Sequence, residues 1–182
     1  GMAIRKWCVK LIGADSADMQ RFYWRSMTPS YPVGLIWLRR DLRLADNAAL
    51  YHALQQCEKL YCVFVFDDSI LAALPRADRR VEFICQSLTE LDAALREAAG
   101  RPQTGLITRR GLPQDIIPAL ARQLGAGAVF CNDDDEPAAL ARDAQVARSL
   151  KSQGQLLLRF KDHRIFARDE VLTQSLSPFS VF

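Results

Sequence analysis

Two charged segments, one basic and one acidic, are the parts of this sequence whose residue types could do chemistry. The basic segment RRD (39–41) follows the apolar run VGLIWL (33–38), and the acidic segment NDDDE (132–136) follows the apolar run AGAVFC (126–131). Guanidinium groups bind carboxylates and phosphates, and carboxylates bind cations or accept hydrogen bonds. The two segments could therefore bind a polar ligand if the fold brings them together.

Each segment also has a purely structural interpretation. Carboxylates followed by Pro137 are typical of a helix start, because proline suits the first helical position and negative charge is favourable there. The acidic residues could thus cap a helix, contact a ligand or bind magnesium. The arginines could pair with nearby acids, stay solvated, or contact a ligand or a partner domain. The sequence leaves these alternatives open.

Apolar runs that alternate with helical patterns predict an α/β fold. The predicted strands are 33–38, 60–66, 104–108, 126–131 and 155–160, and the predicted helices are 46–57, 79–100, 112–125 and 137–154. Pro118 should delay or kink the third of these helices. Because the strands are nearly all apolar, we expect helices on both faces of a parallel sheet. We predict a doubly wound, Rossmann-like five-stranded parallel sheet with the order 3-2-1-4-5.

This strand order predicts where a site would lie. Ligands of open parallel sheets bind beyond the carboxyl ends of the strands, at the point where the strand order reverses. In the predicted order that point lies between the first and fourth strands, which are followed by RRD and NDDDE. Their coincidence at the switch point is the main indication of function in the residues themselves.

Motifs of common catalytic sites were not found. The first strand is not followed by G-x-G-x-x-G, and the sequence contains neither G-x-x-x-x-G-K-[ST] nor G-x-S-x-G. His52 and His163 are interpreted as surface or partly packed residues, and no Ser/His/Asp or Cys/His set is indicated. We therefore predict no catalytic residues and no metal site in this chain.

Composition is that of an ordinary globular protein. Of 182 residues, 49% are hydrophobic and 25% are charged, and the net charge of +3 lacks the dense basic clusters typical of nucleic-acid binding. No apolar run is long enough to span a membrane. Cys62, Cys85 and Cys131 lie in or beside apolar runs and are predicted to be buried, reduced thiols. We expect a cytoplasmic protein.

The segment WLRRDLRLADNAAL (37–50) resembles the opening motif of the photolyase/cryptochrome family, W-x-R-x-D-L-R-x-x-D-N-x-A-L. Further matches follow in order, so that the resemblance covers roughly residues 33–182. They are VFVFD (63–67), RRVEFICQSLTELDAAL (79–95), NDDDEPAALARDAQVARSL (132–150) and SPFSVF (177–182).

The resemblance implies the N-terminal α/β domain of a deoxyribodipyrimidine photolyase, a light-driven enzyme that repairs pyrimidine dimers. In the family, FAD and the DNA-binding surface belong to a C-terminal helical domain, which would follow Phe182. We expect that domain as a partner, damaged DNA through it only, and no membrane. Residues 33–160 would form the α/β domain and 161–182 the start of the linker. Residues 1–32 read as an extension, with Gly1 typical of tag removal and Met27 a plausible natural start.

Many members of the family bind a light-harvesting antenna chromophore in this domain and pass its excitation to FAD. Folate-binding members carry an Asn-Glu pair where this sequence has Ala138 and Ala139, so the resemblance favours a deazaflavin or FMN over methenyltetrahydrofolate. An empty pocket is the alternative. Asp134 would contact the flavin-like ring, Arg40 and Arg80 would line the cleft, and residues 64–67 would form a wall, with Val65 and Phe66 as its apolar part. The expected cofactor-binding residues are Arg39, Arg40, Asp41, Phe64, Phe66, Asp67, Arg80, Asn132, Asp134 and Glu136.

Two other functions stay open. The first is a cryptochrome-type photoreceptor fragment, in which the domain is mainly a scaffold. The second is a free-standing nucleotide-binding α/β domain, which ranks lowest because no glycine-rich phosphate loop is found.

Overall fold

Five parallel strands form the sheet in the order β3-β2-β1-β4-β5, which confirms the predicted fold. The computed structural model describes residues 29–75, 77–100 and 104–162. The strands are β1 (Tyr31–Leu38), β2 (Cys57–Asp67), β3 (Leu106–Gly111), β4 (Ala128–Asn132) and β5 (Leu156–Phe160).

The helices cover both faces of this sheet. They are α1 (Ala48–Gln56), α2 (Asp68–Leu71), α3 (Arg79–Ala99), α4 (Pro113–Leu124) and α5 (Pro137–Ser152). Helices α1 and α3 contribute buried residues to one face, and α4 and α5 to the other. The short helix α2 was not predicted, because a single turn has no apolar period to detect.

The central strand β1 is buried on both faces. Leu35 and Trp37 pack with α4 and α5, whereas Ile36 and Leu38 pack with α1 and α3. All four side chains are at most 2% exposed. Successive strand residues point to opposite faces, so a strand covered on both sides must be apolar at every position. This explains why VGLIWL is continuous rather than alternating.

The boundaries of β1 and β3 differ from the prediction. β1 begins at Tyr31, two residues earlier than expected, and the Tyr31 ring packs edge-on against Phe130 with 6.1 Å between centroids. β3 lies at Leu106–Gly111 rather than 104–108. Its residues Arg109 and Arg110 are exposed. An outermost strand keeps such charges in water, so its end cannot be found from apolar residues alone.

Pro118 does not delay helix α4, and that part of the prediction was wrong. The helix begins at Pro113 and continues through Pro118 to Leu124. Pro113 occupies the first turn, where its missing N–H costs nothing. Pro118 deprives one carbonyl of its intrahelical partner. Both prolines are buried, and this packing compensates for the lost hydrogen bond.

The cysteine predictions were partly wrong. Cys62 and Cys131 are buried free thiols, and burial raises the pKa of each to about 12. Cys57 is also buried, and burial raises its pKa to about 12. Cys85, however, is exposed, because it lies in the first half of α3, before the buried residues Leu88, Leu91 and Leu95.

Among the described residues, no helix is long and apolar enough to cross a membrane.

Gly34 on β1 is predicted to tolerate no side chain. A Cβ atom there would collide with Cys57 Sγ and lie 3.2 Å from the Phe130 ring. Overpacking of this kind costs about 1–3 kcal/mol, so Gly34→Ala should lower the free energy of unfolding by that amount in urea denaturation. In a Cys57→Ala background, where the colliding Sγ atom is absent, Gly34→Ala should lower the free energy of unfolding by less than it does in the wild type. Wild-type stability for Gly34→Ala would contradict this account of the contact between β1 and β2.

Candidate functional site

The basic and acidic segments lie side by side at the switch point between β1 and β4, as the strand order predicted. Arg40 forms an ion pair of 2.6 Å with Glu136 and one of 3.6 Å with Asp134. These contacts join the loop after β1 to the loop after β4. The structure therefore brings together Arg40, Asp134 and Glu136, three of the predicted site residues.

Asn132, the last residue of β4, is buried next to these loops and is 4% exposed. Its side-chain amide donates hydrogen bonds to Asp41 Oδ2 at 2.6 Å and Asn47 Oδ1 at 3.0 Å. Its Oδ1 accepts the Ala49 N–H at 2.8 Å, and its main-chain carbonyl accepts from the Arg39 guanidinium. The side chains of Asp41 and Asn132 are thus used within the protein, where they fix the loops that carry Arg40 and Asp134.

The N-terminus of α1 is fully capped by side chains from three parts of the chain. Ala48 N–H donates to Asp162 at 3.0 Å, Ala49 N–H to Asn132, and Leu50 N–H to Asn47 at 3.0 Å. The first N–H groups of a helix have no intrahelical acceptor and commonly bind phosphate in α/β proteins. Here those donors are already occupied. Asn47 is the N-cap residue of α1.

Arg39 lies on the face of the sheet that α4 and α5 cover, in a buried ion pair with Asp143 of α5. Its guanidinium donates to both carboxylate oxygens at 2.8 and 2.7 Å, and the two side chains are 9% and 0% exposed. It also lies 4.9 Å from the centroid of the Trp37 ring. Desolvation lowers the pKa of Arg39, but nearby Cys131 and Asp143 outweigh it and hold that pKa above the usual value. Arg39 is therefore a cation locked within the protein.

The sequence analysis assigned no role to Arg142 and Asp143. Arg142 lies 5.1 Å from the Trp37 ring centroid, 3.2 Å from Asp143 and 3.7 Å from Asp67. One signal was available. Asp143 occupies the helical stripe of buried residues on α5, which also contains Ala139, Val146 and Leu150. A carboxylate in such a stripe requires a buried cationic partner.

Arg40 differs from Arg39 in exposure. The side chain of Arg40 is 68% exposed and that of Glu136 is 60% exposed, whereas the Asp134 side chain is 13% exposed. The hydrogen bond to Glu136 raises the pKa of Arg40, and the charge of Asp134 adds to this. Exposed ion pairs contribute only about 0–1 kcal/mol to stability. A ligand could therefore displace the contact between Arg40 and Glu136 at little cost.

The end of β2 forms the neighbouring part of the carboxyl edge. The rings of Phe64 and Phe66 meet edge to face with centroids 5.0 Å apart, Phe64 buried and Phe66 half-buried. Asp67 accepts hydrogen bonds from the N–H and hydroxyl groups of Ser69 at 2.9 and 2.6 Å, which caps α2. Val65 packs with the α4 and α5 face. Because strand residues alternate, Val65 and Phe66 point to opposite faces and cannot be two parts of one wall, contrary to expectation.

Arg80 is not brought into contact with the other predicted site residues. Its guanidinium is 70% exposed and pairs at 2.6 Å with Asp78, the N-cap of its own helix α3. One turn further along α3, Phe83 is 70% exposed. His52 stacks on Phe160 with centroids 4.4 Å apart, which makes it a partly packed side chain. His163 lies outside the described residues.

Within residues 29–75, 77–100 and 104–162, no group of three or more His, Cys, Asp or Glu side chains is arranged to hold a metal ion.

Comparison with known proteins identifies the family of this sheet and its charged loops. The family model for DNA photolyase matches residues 34–182. The chain belongs to the DNA photolyase family. A deoxyribodipyrimidine photo-lyase of Synechococcus sp. PCC 6301 is 39% identical over 148 residues, which cover 81% of this chain and 30% of that protein. Cryptochrome-2 of Gallus gallus is 32% identical over 136 residues, covering 75% of this chain and 23% of that protein.

A solved structure of the photolyase family has the same fold. The archaeal photolyase of Sulfolobus tokodaii, described with two FAD molecules that implicate a novel light-harvesting cofactor, matches with a TM-score of 0.65 and 26% identity. The match covers 75% of this chain and 32% of that one. The chain thus spans about a third or less of the length of these photolyase-family relatives.

Loss of the Asn132 side chain should destabilise the photolyase-family fold more than loss of another buried amide. Asn132→Ala leaves the Ala49 N–H without its acceptor and removes one hydrogen bond each from Asp41 and Asn47, and we expect a cost of about 2–4 kcal/mol in urea denaturation. Gln155 is a matched control, because it is 8% exposed and its amide nitrogen makes a single described hydrogen bond, to Ala126 O. Gln155→Ala should cost about 1 kcal/mol. Equal losses of unfolding free energy would show that Asn132 contributes no more to stability than another buried amide.

Proposed function

We propose that this chain is the antenna-binding domain of a light-driven DNA photolyase that repairs cyclobutane pyrimidine dimers in its full-length form. The observation that carries the proposal is the layering at the switch point. Arg39, Asp41 and Asn132 are buried and hydrogen-bonded to the protein, whereas Arg40 and Glu136 above them are exposed, with Asp134 between. The outer layer offers polar groups to a ligand, and the inner layer holds them in place.

The outer layer suits the polar edge of a planar chromophore. The Arg40 guanidinium supplies donors, and the carboxylates of Asp134 and Glu136 supply acceptors. The Arg40–Glu136 pair is exposed, so it can open without leaving a buried charge unpaired. In this proposal Asp134 contacts the ring, and Arg40 orients its polar edge.

Apolar surface is available on the β2 side of the same edge. Phe66 is half-buried at the end of β2, and the first half of α3 leaves Phe83 exposed. Ligand sites for flat aromatic molecules combine such apolar surface with a few polar groups that fix orientation. We propose that Phe66 packs against the chromophore ring. Phe64, more deeply buried, supports Phe66 through their edge-to-face contact.

The capped N-terminus of α1 argues against the nucleotide-binding alternative. A phosphate group in a Rossmann-like site binds the free N–H groups of the first helix. Those of Ala48, Ala49 and Leu50 already donate to side chains of this protein. In this proposal the ligand is recognised mainly through its ring, and α1 supplies no N–H groups to a phosphate.

A deazaflavin or FMN is the antenna we favour. Ala138 and Ala139 stand where folate-binding members carry an Asn-Glu pair, and alanine offers neither donor nor acceptor. Methenyltetrahydrofolate would lack those contacts. The Sulfolobus photolyase, described with two FAD molecules and a light-harvesting cofactor, supports a flavin-type antenna in this family. The bound chromophore would absorb light and pass its excitation to FAD.

Repair itself belongs to the longer protein in this proposal. The Synechococcus photo-lyase is about three times as long as the part matched here, which leaves room for a helical FAD domain that binds damaged DNA. The four described cysteines are free, which fits the reducing environment of the cytoplasm. A cryptochrome is the second candidate, supported by the match to the Gallus gallus protein. A repair assay of the full-length protein on dimer-containing DNA distinguishes the two.

Chromophore titration tests the antenna proposal. FMN, a deazaflavin and methenyltetrahydrofolate are each titrated into the protein, and binding is followed by fluorescence anisotropy. We expect flavin-type binding, and we expect Arg40→Ala to raise its Kd about tenfold, the effect of one hydrogen bond to a charged group. Arg96→Ala is the matched control. Arg96 is an exposed arginine paired at 2.7 Å with Asp92, on the second half of α3.

The outcomes separate the proposals. Tight folate binding would contradict the interpretation of Ala138 and Ala139. Equal affinities for Arg40→Ala and wild type would remove Arg40 from the site. If none of the three chromophores bound, even to the longer protein with its helical domain, the antenna function would be wrong.

A further inference from the structure

We propose that Asp162, the second residue after β5, is a positioning residue that holds the chromophore-binding loop after β1 in place. This inference rests on the proposed antenna function. Asp162 lies in neither charged segment at the switch point. Its side chain is 3% exposed, and its two carboxylate oxygens contact the loop after β1 and the first residue of α1.

One carboxylate oxygen binds the loop directly. Asp162 Oδ2 lies 2.6 Å from the Arg43 guanidinium, and the same guanidinium nitrogen donates to the main-chain carbonyl of Asp46 at 2.7 Å. Asp46 has a positive φ of 51°, a conformation that is uncommon for a residue other than glycine. Arg43 thus connects Asp162 to the residue of the loop that has a positive φ.

The other oxygen binds the helix that follows. Asp162 Oδ1 accepts the N–H of Ala48, the first residue of α1, at 3.0 Å. A carboxylate at a helix N-terminus also interacts favourably with the helix dipole. Asp162 therefore fixes both the loop and the helix start that ends it.

Arg40 lies within this loop and has no buried anchor of its own. Its described ion pairs are with the acidic loop, where its partner Glu136 is itself 60% exposed. The orientation of Arg40 must therefore come from its neighbours. On one side Arg39 and Asp41 hold the loop through Asp143 and Asn132. On the other side Arg43 holds it through Asp162.

The position of Asp162 in the chain adds a second consequence. Only Lys161 separates it from β5, so the contacts with Arg43 and Ala48 join the end of β5 to the loop after β1 and to α1. Excitation transfer depends on the relative position of donor and acceptor. One carboxylate would thus hold the chromophore loop in a fixed position relative to the last strand of the sheet.

The test compares Asp162→Asn and Arg43→Gln with wild type by amide hydrogen exchange and FMN titration. Asparagine keeps an acceptor for the Ala48 N–H but loses the charge that pairs with Arg43. We expect faster exchange in residues 40–48 in both variants and a roughly threefold to tenfold higher Kd for FMN, as expected for a weakened hydrogen bond. The double variant should be no worse than either single variant, because both changes break one contact.

Asp92→Asn is the matched control. Asp92 also accepts from one arginine, Arg96 at 2.7 Å, and from one main-chain N–H, that of Leu106 at 2.7 Å. It holds α3 to the start of β3, at the amino ends of the strands, whereas Arg40 lies at their carboxyl ends. We expect Asp92→Asn to leave exchange in residues 40–48 and FMN affinity unchanged.

Each result supports or contradicts the inference. Unchanged exchange in residues 40–48 would show that Asp162 does not hold the loop. Faster exchange with unchanged FMN affinity would show a structural role only, and additive losses in the double variant would show that the two residues act separately. Failure of wild-type protein to bind FMN would contradict FMN as its antenna ligand, and the positioning role for FMN would fall with it. Unchanged affinity in the variants alone would contradict only the role of Asp162.

Discussion

The hydrogen bonds of Asn132 are the interaction on which the rest of the switch point depends. One buried amide joins the end of β4, the loop after β1 and the first turn of α1, and its own carbonyl holds Arg39. Without Asn132 the Ala49 N–H would lose its described acceptor, and a buried donor left unsatisfied costs about 1–3 kcal/mol. Because every partner is used, the position of Arg40 is determined by β1 and β4 together.

Two kinds of charged contact lie at this edge, and their energetics differ. The Arg39–Asp143 pair is almost fully buried, and removal of either partner would leave an uncompensated charge in the interior. The Arg40–Glu136 pair lies in water and can exchange partners freely. Sequence neighbours of the same type thus have opposite roles. Arg39 fixes the sheet to α5, whereas Arg40 is exposed at the surface, where the proposed chromophore would meet it.

The sequence predicted what depends on periodicity and missed what depends on contacts between distant residues. Apolar runs such as VGLIWL identified β1, and the strand order then placed Arg40 near Asp134 without any local signal. The partner of Arg39 could not be found in this way, because Asp143 lies 104 residues away and no local pattern links the two. The same holds for Asp162 and Ala48, which are 114 residues apart. Arg80 was expected in the cleft, yet its nearest acid is its own helix cap, Asp78.

Full capping of α1 fits the proposed antenna ligand, for which the first helix would supply no phosphate-binding N–H groups. In nucleotide-binding relatives of this topology, the first helix offers free N–H groups to an anion at the switch point. Here Asp162, Asn132 and Asn47 occupy those donors, and two of the three side chains come from beyond β3. The site that is left consists of side chains above a closed polar layer. Such a site can orient a flat molecule, and an antenna needs orientation without any acid, base or nucleophile.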